Sequence, residues 1–171
     1  MKSYQRITII SALLCGLGLV TSVSADESCT NVSGKIFNNA IATGNTLGTV
    51  HFKFGSEKFK CGLLGVKKEG GDQGQILFDH TIVCDDDVGS SGAPVHSQLV
   101  LNTAGTKTGE YETCWFGTPS FSFDETSTPI YGTGRFAGVD PNTSWINVQG
   151  NFYCTLAIDM DFEGKLCFYG L

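Results

Sequence analysis

Polar and apolar residues alternate without interruption from Trp145 to Phe162. The even-numbered positions are apolar or glycine, as in Ile146 and Val148, and the odd-numbered positions are mostly polar, as in Asn147 and Gln149. Successive side chains of an extended chain point to opposite faces, so a period of two predicts β-structure. The segment is longer than an ordinary strand.

The excess length predicts an interruption within this segment, and Gly150 is the expected position of a bend or bulge. A turn at Glu163-Gly164 would then lead into a last strand, KLCFYG. Shorter runs with the same period lie upstream, separated by turn-forming residues: GTVHFKF (48–54), KFKCGLLGV (58–66), QILFDHTIVC (75–84), VHSQLVLNT (95–103), EYETCWF (110–116), SFSFDE (120–125) and the segment around GTGRF.

Many short strands without a helical period predict an all-β domain, and about eight of them would close an antiparallel β-barrel. An outer-membrane barrel also alternates, with its apolar residues facing the lipid. Six cysteines and the end FYGL, which lacks a terminal aromatic residue, favour a barrel that does not span a membrane.

The first 25 residues read as a secretory signal peptide. Lys2 and Arg6 precede a short apolar run, and Val23 and Ala25 have the spacing that signal peptidases prefer. Cleavage after Ala25 would leave one domain, residues 26–171, in the periplasm or outside the cell. That domain has nine basic residues against 17 acidic ones, a net charge of −8, which disfavours nucleic acid and anionic membranes as partners.

Six cysteines remain after cleavage, and an even number in an oxidising compartment predicts disulfides, three if all are paired. Their wide spacing does not fit a zinc site, and the sequence leaves their pairing open. They are Cys29, Cys61, Cys84, Cys114, Cys154 and Cys167.

The stretch YGTGRFAG, residues 131–138, superficially resembles a phosphate-binding loop. A Walker loop needs a following lysine and helix, and a dinucleotide fingerprint needs GxGxxG before a helix. Here the spacing is GxGxxxG, and a turn and a strand follow, so we expect a structural bend and no cofactor. The motif positions are Gly132, Gly134, Arg135, Phe136 and Gly138.

GTGRFAG, followed by a turn and the strand WINVQG, resembles the motif shared by dirigent proteins and allene oxide cyclases. The resemblance is best over about residues 118–160. It implies an eight-stranded antiparallel barrel with a central cavity, and an isomerase or cyclase that acts by confining its substrate. None of the plant enzymes' active-site residues aligns with a position in this chain.

Two histidines are candidate catalytic residues. His80 shares the apolar face of its strand, and His96 begins the next strand, close to the acidic run 85–87. They could form an acid–base pair or bind a divalent metal with an aspartate. The spacing matches no metal motif, so we favour a hydrogen-bonded barrel histidine, a histidine at a strand edge and a solvated acidic loop. We expect no metal.

Arg135, Glu125 and Tyr153 are the candidate binding residues. Arg135 is the sole arginine after the signal peptide, and Glu125 lies ten residues before it. We expect Arg135 to pair with a carboxylate that closes one end of the barrel, with ligand contact as the alternative. The sequons at Asn31 and Asn142 would carry glycans in a eukaryotic source alone.

These features favour a non-catalytic secreted barrel that binds a small apolar ligand or a partner protein. Barrels of about eight strands can hold one small ligand. The alternatives are the isomerase or cyclase, and a secreted inhibitor or effector that acts through its loops. A cavity containing His80 or Tyr153 would favour the enzyme.

Overall fold

A computed structural model describes residues 28–72, 74–88, 94–117 and 119–169. The predicted signal peptide lies outside these residues. Eight antiparallel strands pair in chain order, and the last pairs with the first, so the sheet closes into a barrel. The predicted fold class is therefore confirmed. The strands are β1 (Ser28–Ala40), β2 (Thr46–Phe54), β3 (Glu57–Lys68), β4 (Gln75–Val88), β5 (Pro94–Thr113), β6 (Pro119–Gly132), β7 (Trp145–Phe152) and β8 (Ala157–Phe168).

The long alternating segment is a hairpin, so the bend predicted at Gly150 is wrong. β7 ends at Phe152, and the Tyr153 amide donates to the Ala157 carbonyl at 3.0 Å across the turn. Residues that face each other across a sheet share one side, and Phe152 pairs with Ile158. Even-numbered residues therefore face the barrel interior in both β7 and β8. The alternation continues across the turn, so the sequence pattern does not reveal the turn.

Three other boundaries differ from the prediction. Glu163-Gly164 is interior to β8 and is not a turn. The two strands predicted at 95–103 and 110–116 are one strand, β5, because pairing with β4 and β6 keeps the small and polar segment 104–109 extended. β1 was not predicted, because glycine and asparagine interrupt its inward apolar face.

The inward faces are mostly apolar, and the outward faces of β7 and β8 are mostly polar. All six cysteines pair as predicted. Cys61–Cys84 joins β3 to β4 inside the barrel, Cys29–Cys167 joins β1 to β8, and Cys114–Cys154 joins the β5–β6 and β7–β8 loops.

Phe136 closes the end of the barrel that holds the β2–β3 and β6–β7 connections. It lies in a 3₁₀ turn, Gly134–Phe136, and its ring is fully buried. Its ring centroid lies 5.7 Å from that of Phe52, 6.1 Å from Phe54 and 6.4 Å from Phe59. Aromatic packing of this kind excludes water from the closed end.

The glycine motif forms the connection between β6 and β7, with no strand around GTGRF. Gly134 and Gly138 have φ of +58° and +76°, which glycine adopts at little cost. A Cβ on Gly132 would lie 2.2 Å from the Phe136 carbonyl oxygen. In this connection the glycines bring Phe136 over the closed end of the barrel.

Arg135 holds this connection against the β2–β3 hairpin. Its Nη1 donates to Glu57 Oε2 at 2.5 Å, its guanidinium carbon lies 4.3 Å from the centre of the Phe59 ring, and its backbone amide donates to Ser97 Oγ. An ion pair at one end of the barrel was predicted. The carboxylate is Glu57, and Glu125 lies elsewhere, inside the barrel.

Phe136→Ala should lower the free energy of unfolding by about 3–5 kcal/mol, because the surrounding phenylalanines cannot collapse into the space left. Denaturant unfolding without reductant measures this loss. Phe37→Ala, on the exposed outer face of β1, is the control and should cost less than about 1 kcal/mol. Equal losses in the two variants would contradict the role given to Phe136.

Arg135→Lys should lower the melting temperature, with a loss of about 0.5–1 kcal/mol, because lysine keeps the charge but not the planar stacking on Phe59. Glu57→Gln breaks the exposed ion pair alone and should cost less. An unchanged melting temperature in Arg135→Lys would count against the stacking contact.

Candidate functional site

The half of the barrel opposite Phe136 contains a cavity of about 550 Å³. Five phenylalanines line it together with isoleucine, leucine and methionine side chains. The apolar lining is Ile76, Phe78, Phe116, Phe121, Phe123, Phe152, Leu156, Ile158 and Met160. His80 and Glu125 also line the cavity, and both are buried. We call these two side chains the polar floor.

His80 fits inside the barrel because its neighbour across the sheet is glycine. It pairs with Gly65 of β3, where a Cβ would lie 2.7 Å from its Nε2. Its Nδ1 lies 3.0 Å from Thr103 Oγ1, which lies 2.7 Å from Ser127 Oγ. These three side chains form a buried polar chain across β4, β5 and β6.

Glu125 occupies a similar position on β6, opposite Gly105 of β5. A Cβ at Gly105 would lie 2.7 Å from Glu125 Cγ, so the glycine makes room for the carboxyl group. Among the residues that the structure describes, none forms a hydrogen bond or ion pair with this carboxyl group, and the side-chain oxygen of Asn38, which also lines the cavity, lacks a hydrogen-bond partner too. A buried polar group without a protein partner is costly unless a ligand or water contacts it.

Burial moves both groups of the polar floor toward their uncharged forms. Desolvation raises the pKa of Glu125 to about 7 and lowers the pKa of His80 to about 4, although the neighbouring Asp79 charge opposes the latter shift. Between these two values the acid is protonated and the imidazole is neutral. The polar floor therefore carries no net charge across that range.

The mouth of the cavity lies among the loops that follow β1, β3, β5 and β7. Lys67 and Lys107 line it, and Phe116 enters from the β5–β6 loop. Trp115 in that loop is 87% exposed, which makes it the most exposed large apolar side chain of the described residues. The Cys114–Cys154 disulfide fixes two of these loops to each other.

The pairing of His80 with His96, which was the less favoured alternative, is not formed, because His80 lies inside the barrel. His96 is exposed on the outside of the barrel, and its Nδ1 lies 3.0 Å from Asp85 Oδ1. Tyr153 lies at the start of the β7–β8 turn, exposed, where a hydrogen bond with Asp159 raises its pKa. Of the predicted site residues, His80 and Glu125 alone reach the cavity.

Most residues of the site carry no signal in the sequence. Thr103, Ser127, Gly65 and Gly105 have no motif, and their inward positions become visible after the strand register is known. The one signal available was the spacing of His80 on an apolar face. The described residues contain no group of three or more histidine, cysteine, aspartate or glutamate side chains placed to hold a metal ion.

Comparison of the chain with protein-family models, with curated proteins and with solved structures gave no match. The resemblance to dirigent proteins and allene oxide cyclases therefore stays a prediction. Among the described residues, no helix has the length and apolar character needed to cross a membrane.

The polar floor predicts two opposite pH effects on stability. Glu125 binds its proton more tightly in the folded state, so its contribution to stability falls as pH rises from about 4.5 to about 7. His80 binds its proton more weakly in the folded state, so its contribution falls as pH drops from about 6.5 to about 4. Between about pH 4.5 and pH 6.5 the two contributions to stability change in opposite directions, so they largely cancel in the wild type.

Single variants should separate these slopes. Relative to the wild type, Glu125→Gln should become less stable toward acid below about pH 6.5, and His80→Gln should become less stable toward neutral pH above about 4.5. Each full effect is on the order of 3 kcal/mol. Denaturant unfolding at several pH values measures both, and parallel pH profiles in all three proteins would contradict the burial of the pair.

Proposed function

We propose that this protein binds one small apolar ligand in the cavity of its barrel and that it does so after secretion. Because His80 lines that cavity, an isomerase or cyclase that confines its substrate there is the alternative function. Three disulfides fit an oxidising compartment. The observation that carries the proposal is the contrast between the two halves of one lumen. One half is filled by phenylalanines, and the other is a cavity of about 550 Å³ with a polar floor.

The volume and lining of the cavity favour a small molecule over a protein segment. Ligand sites commonly measure about 300–1,000 Å³ and combine apolar walls with a few converging polar groups. The cavity matches this description in its phenylalanine walls and in its two buried titratable side chains. A ligand would gain binding free energy chiefly by burying its apolar surface against these walls.

The polar floor supports a ligand with a single uncharged polar group. A protonated Glu125 can donate a hydrogen bond, and the carboxyl group has no partner among the described residues. A charged ligand group at this depth would need a charged partner, which the polar floor does not provide between about pH 4 and pH 7. A hydroxyl or carbonyl group satisfies the site without that cost.

The test compares two tryptophan variants on neighbouring positions of β1. Ala40 lines the cavity, and Asn39 points outward. Ala40→Trp should fill the cavity and weaken binding of an uncharged naphthylamine fluorophore at least about tenfold, by analogy with overpacked sites. Asn39→Trp adds the same bulk outside and should leave the affinity unchanged. Fluorescence titration measures both.

Native mass spectrometry of the purified wild type adds a second measurement. A ligand that copurifies with the wild type and with Asn39→Trp, but not with Ala40→Trp, would support the proposal and give the mass of the natural ligand. Equal fluorophore binding by Ala40→Trp and Asn39→Trp would overturn the assignment to the cavity. So would the absence of fluorophore binding by a wild type that carries no copurified ligand.

A further inference from the structure

Four lysines and one histidine meet on the outer face of β1, β2 and β3. Strand pairing brings them into two rows that cross the sheet. Lys35, His51 and Lys60 form one row, and Lys53 and Lys58 form the next. All five side chains are exposed and line an open groove of about 420 Å³. We call this surface the lysine patch.

The lysine patch is unusual for this chain because acidic residues exceed basic ones by eight after Ala25. Within the described part of the chain, Lys53, Lys58 and Lys60 form no ion pair, whereas Lys35 pairs with Asp161. Lys53 lies directly opposite Lys58 across β2 and β3. Like charges in that arrangement destabilise a sheet, so the fold itself does not account for the cluster.

An acidic column limits the size of the partner that the lysine patch can accept. Asp161 and Glu163 of β8 lie opposite Lys35 and Ser33 of β1, on the same outer face. A flat anionic membrane pressed on this side would bring its headgroups against those carboxylates, at a cost in repulsion. A narrow chain can follow β2 and β3 and avoid them.

The residue types in the lysine patch favour one class of narrow chain. The patch contains no arginine, which is the side chain best suited to bidentate phosphate contacts. Among its lining residues no phenylalanine, tyrosine or tryptophan ring is exposed for a base to stack on, and His51 is the one exposed ring. Lysine acts as a hydrated point charge, which suits dispersed sulfate or carboxylate groups. Neighbouring strands are about 4.8 Å apart, so the rows present charges at intervals of roughly 5–7 Å.

We propose that the lysine patch binds a linear acidic polysaccharide, with sulfate or carboxylate groups contacting Lys53, Lys58 and Lys60. The site lies outside the barrel and does not depend on the cavity. It would hold the protein at an anionic polysaccharide through electrostatic contacts that weaken with added salt.

The experiment measures binding of dextran sulfate and of polygalacturonate to the full secreted chain at low and at physiological ionic strength. Lys58→Gln should weaken binding about three- to fivefold, and Lys53→Gln/Lys58→Gln about tenfold or more. The control is Lys68→Gln, ten residues further along β3 on the same face and about 34 Å away. It removes the same charge and should change binding less than twofold.

The two polymers distinguish the source of the anionic group, since preference for either one supports the proposal and identifies sulfate or carboxylate as the recognised group. Equal weakening by Lys58→Gln and Lys68→Gln would overturn it, because net charge alone would then explain binding. Absence of binding to both polymers at low ionic strength would also overturn it. So would tighter binding, dependent on Lys58, to duplex DNA or to phosphatidylserine vesicles.

Discussion

Closure of the sheet between β1 and β8 is the constraint on which the rest of this structure depends. It assigns every strand an inward and an outward face, and it fixes the width of the lumen. At that width, the size of the inward-facing side chains decides whether a given level of the lumen is filled or contains a cavity. The phenylalanines around Phe136 fill one end, whereas Gly65 and Gly105 let His80 and Glu125 lie flat against the wall of the other. The closed end and the cavity therefore result from different side-chain sizes within a lumen of one width.

The two side chains of the polar floor, His80 and Glu125, are buried without forming an ion pair. An acid and a base buried in one cavity could form an ion pair. Here both side chains are uncharged between about pH 4 and pH 7, because burial lowers the pKa of His80 and raises that of Glu125. His80 also has a hydroxyl partner in Thr103, while Glu125 has no partner among the described residues. Among the described residues, the cavity therefore holds at least two hydrogen-bonding groups without a protein partner, the Glu125 carboxyl group and the Asn38 side-chain oxygen, and neither polar-floor residue adds a charge between about pH 4 and pH 7.

Much of the fold could be predicted from the sequence, because period-two alternation and an even number of cysteines report strands and disulfides directly. The errors share a physical cause. Phe152 and Ile158 have the same parity, so the β7–β8 turn left no trace in the pattern, and Asn38 and Gly34 obscured β1. The site was less accessible. Arg135 pairs with Glu57, 78 residues away, and the lysine patch joins residues from three strands. Contacts of this kind are set by register, which local sequence does not encode.

The Cys29–Cys167 disulfide has a mechanical consequence. It spans 138 residues and joins the first strand to the last beside the point where Ser28 pairs with Phe168. Tension applied at the two ends of the domain would run through this covalent bond, and the hydrogen-bonded ladders between them would carry no load. Both ends also lie on the side away from the mouth of the cavity. Tension between the two ends would therefore leave the barrel and its cavity folded.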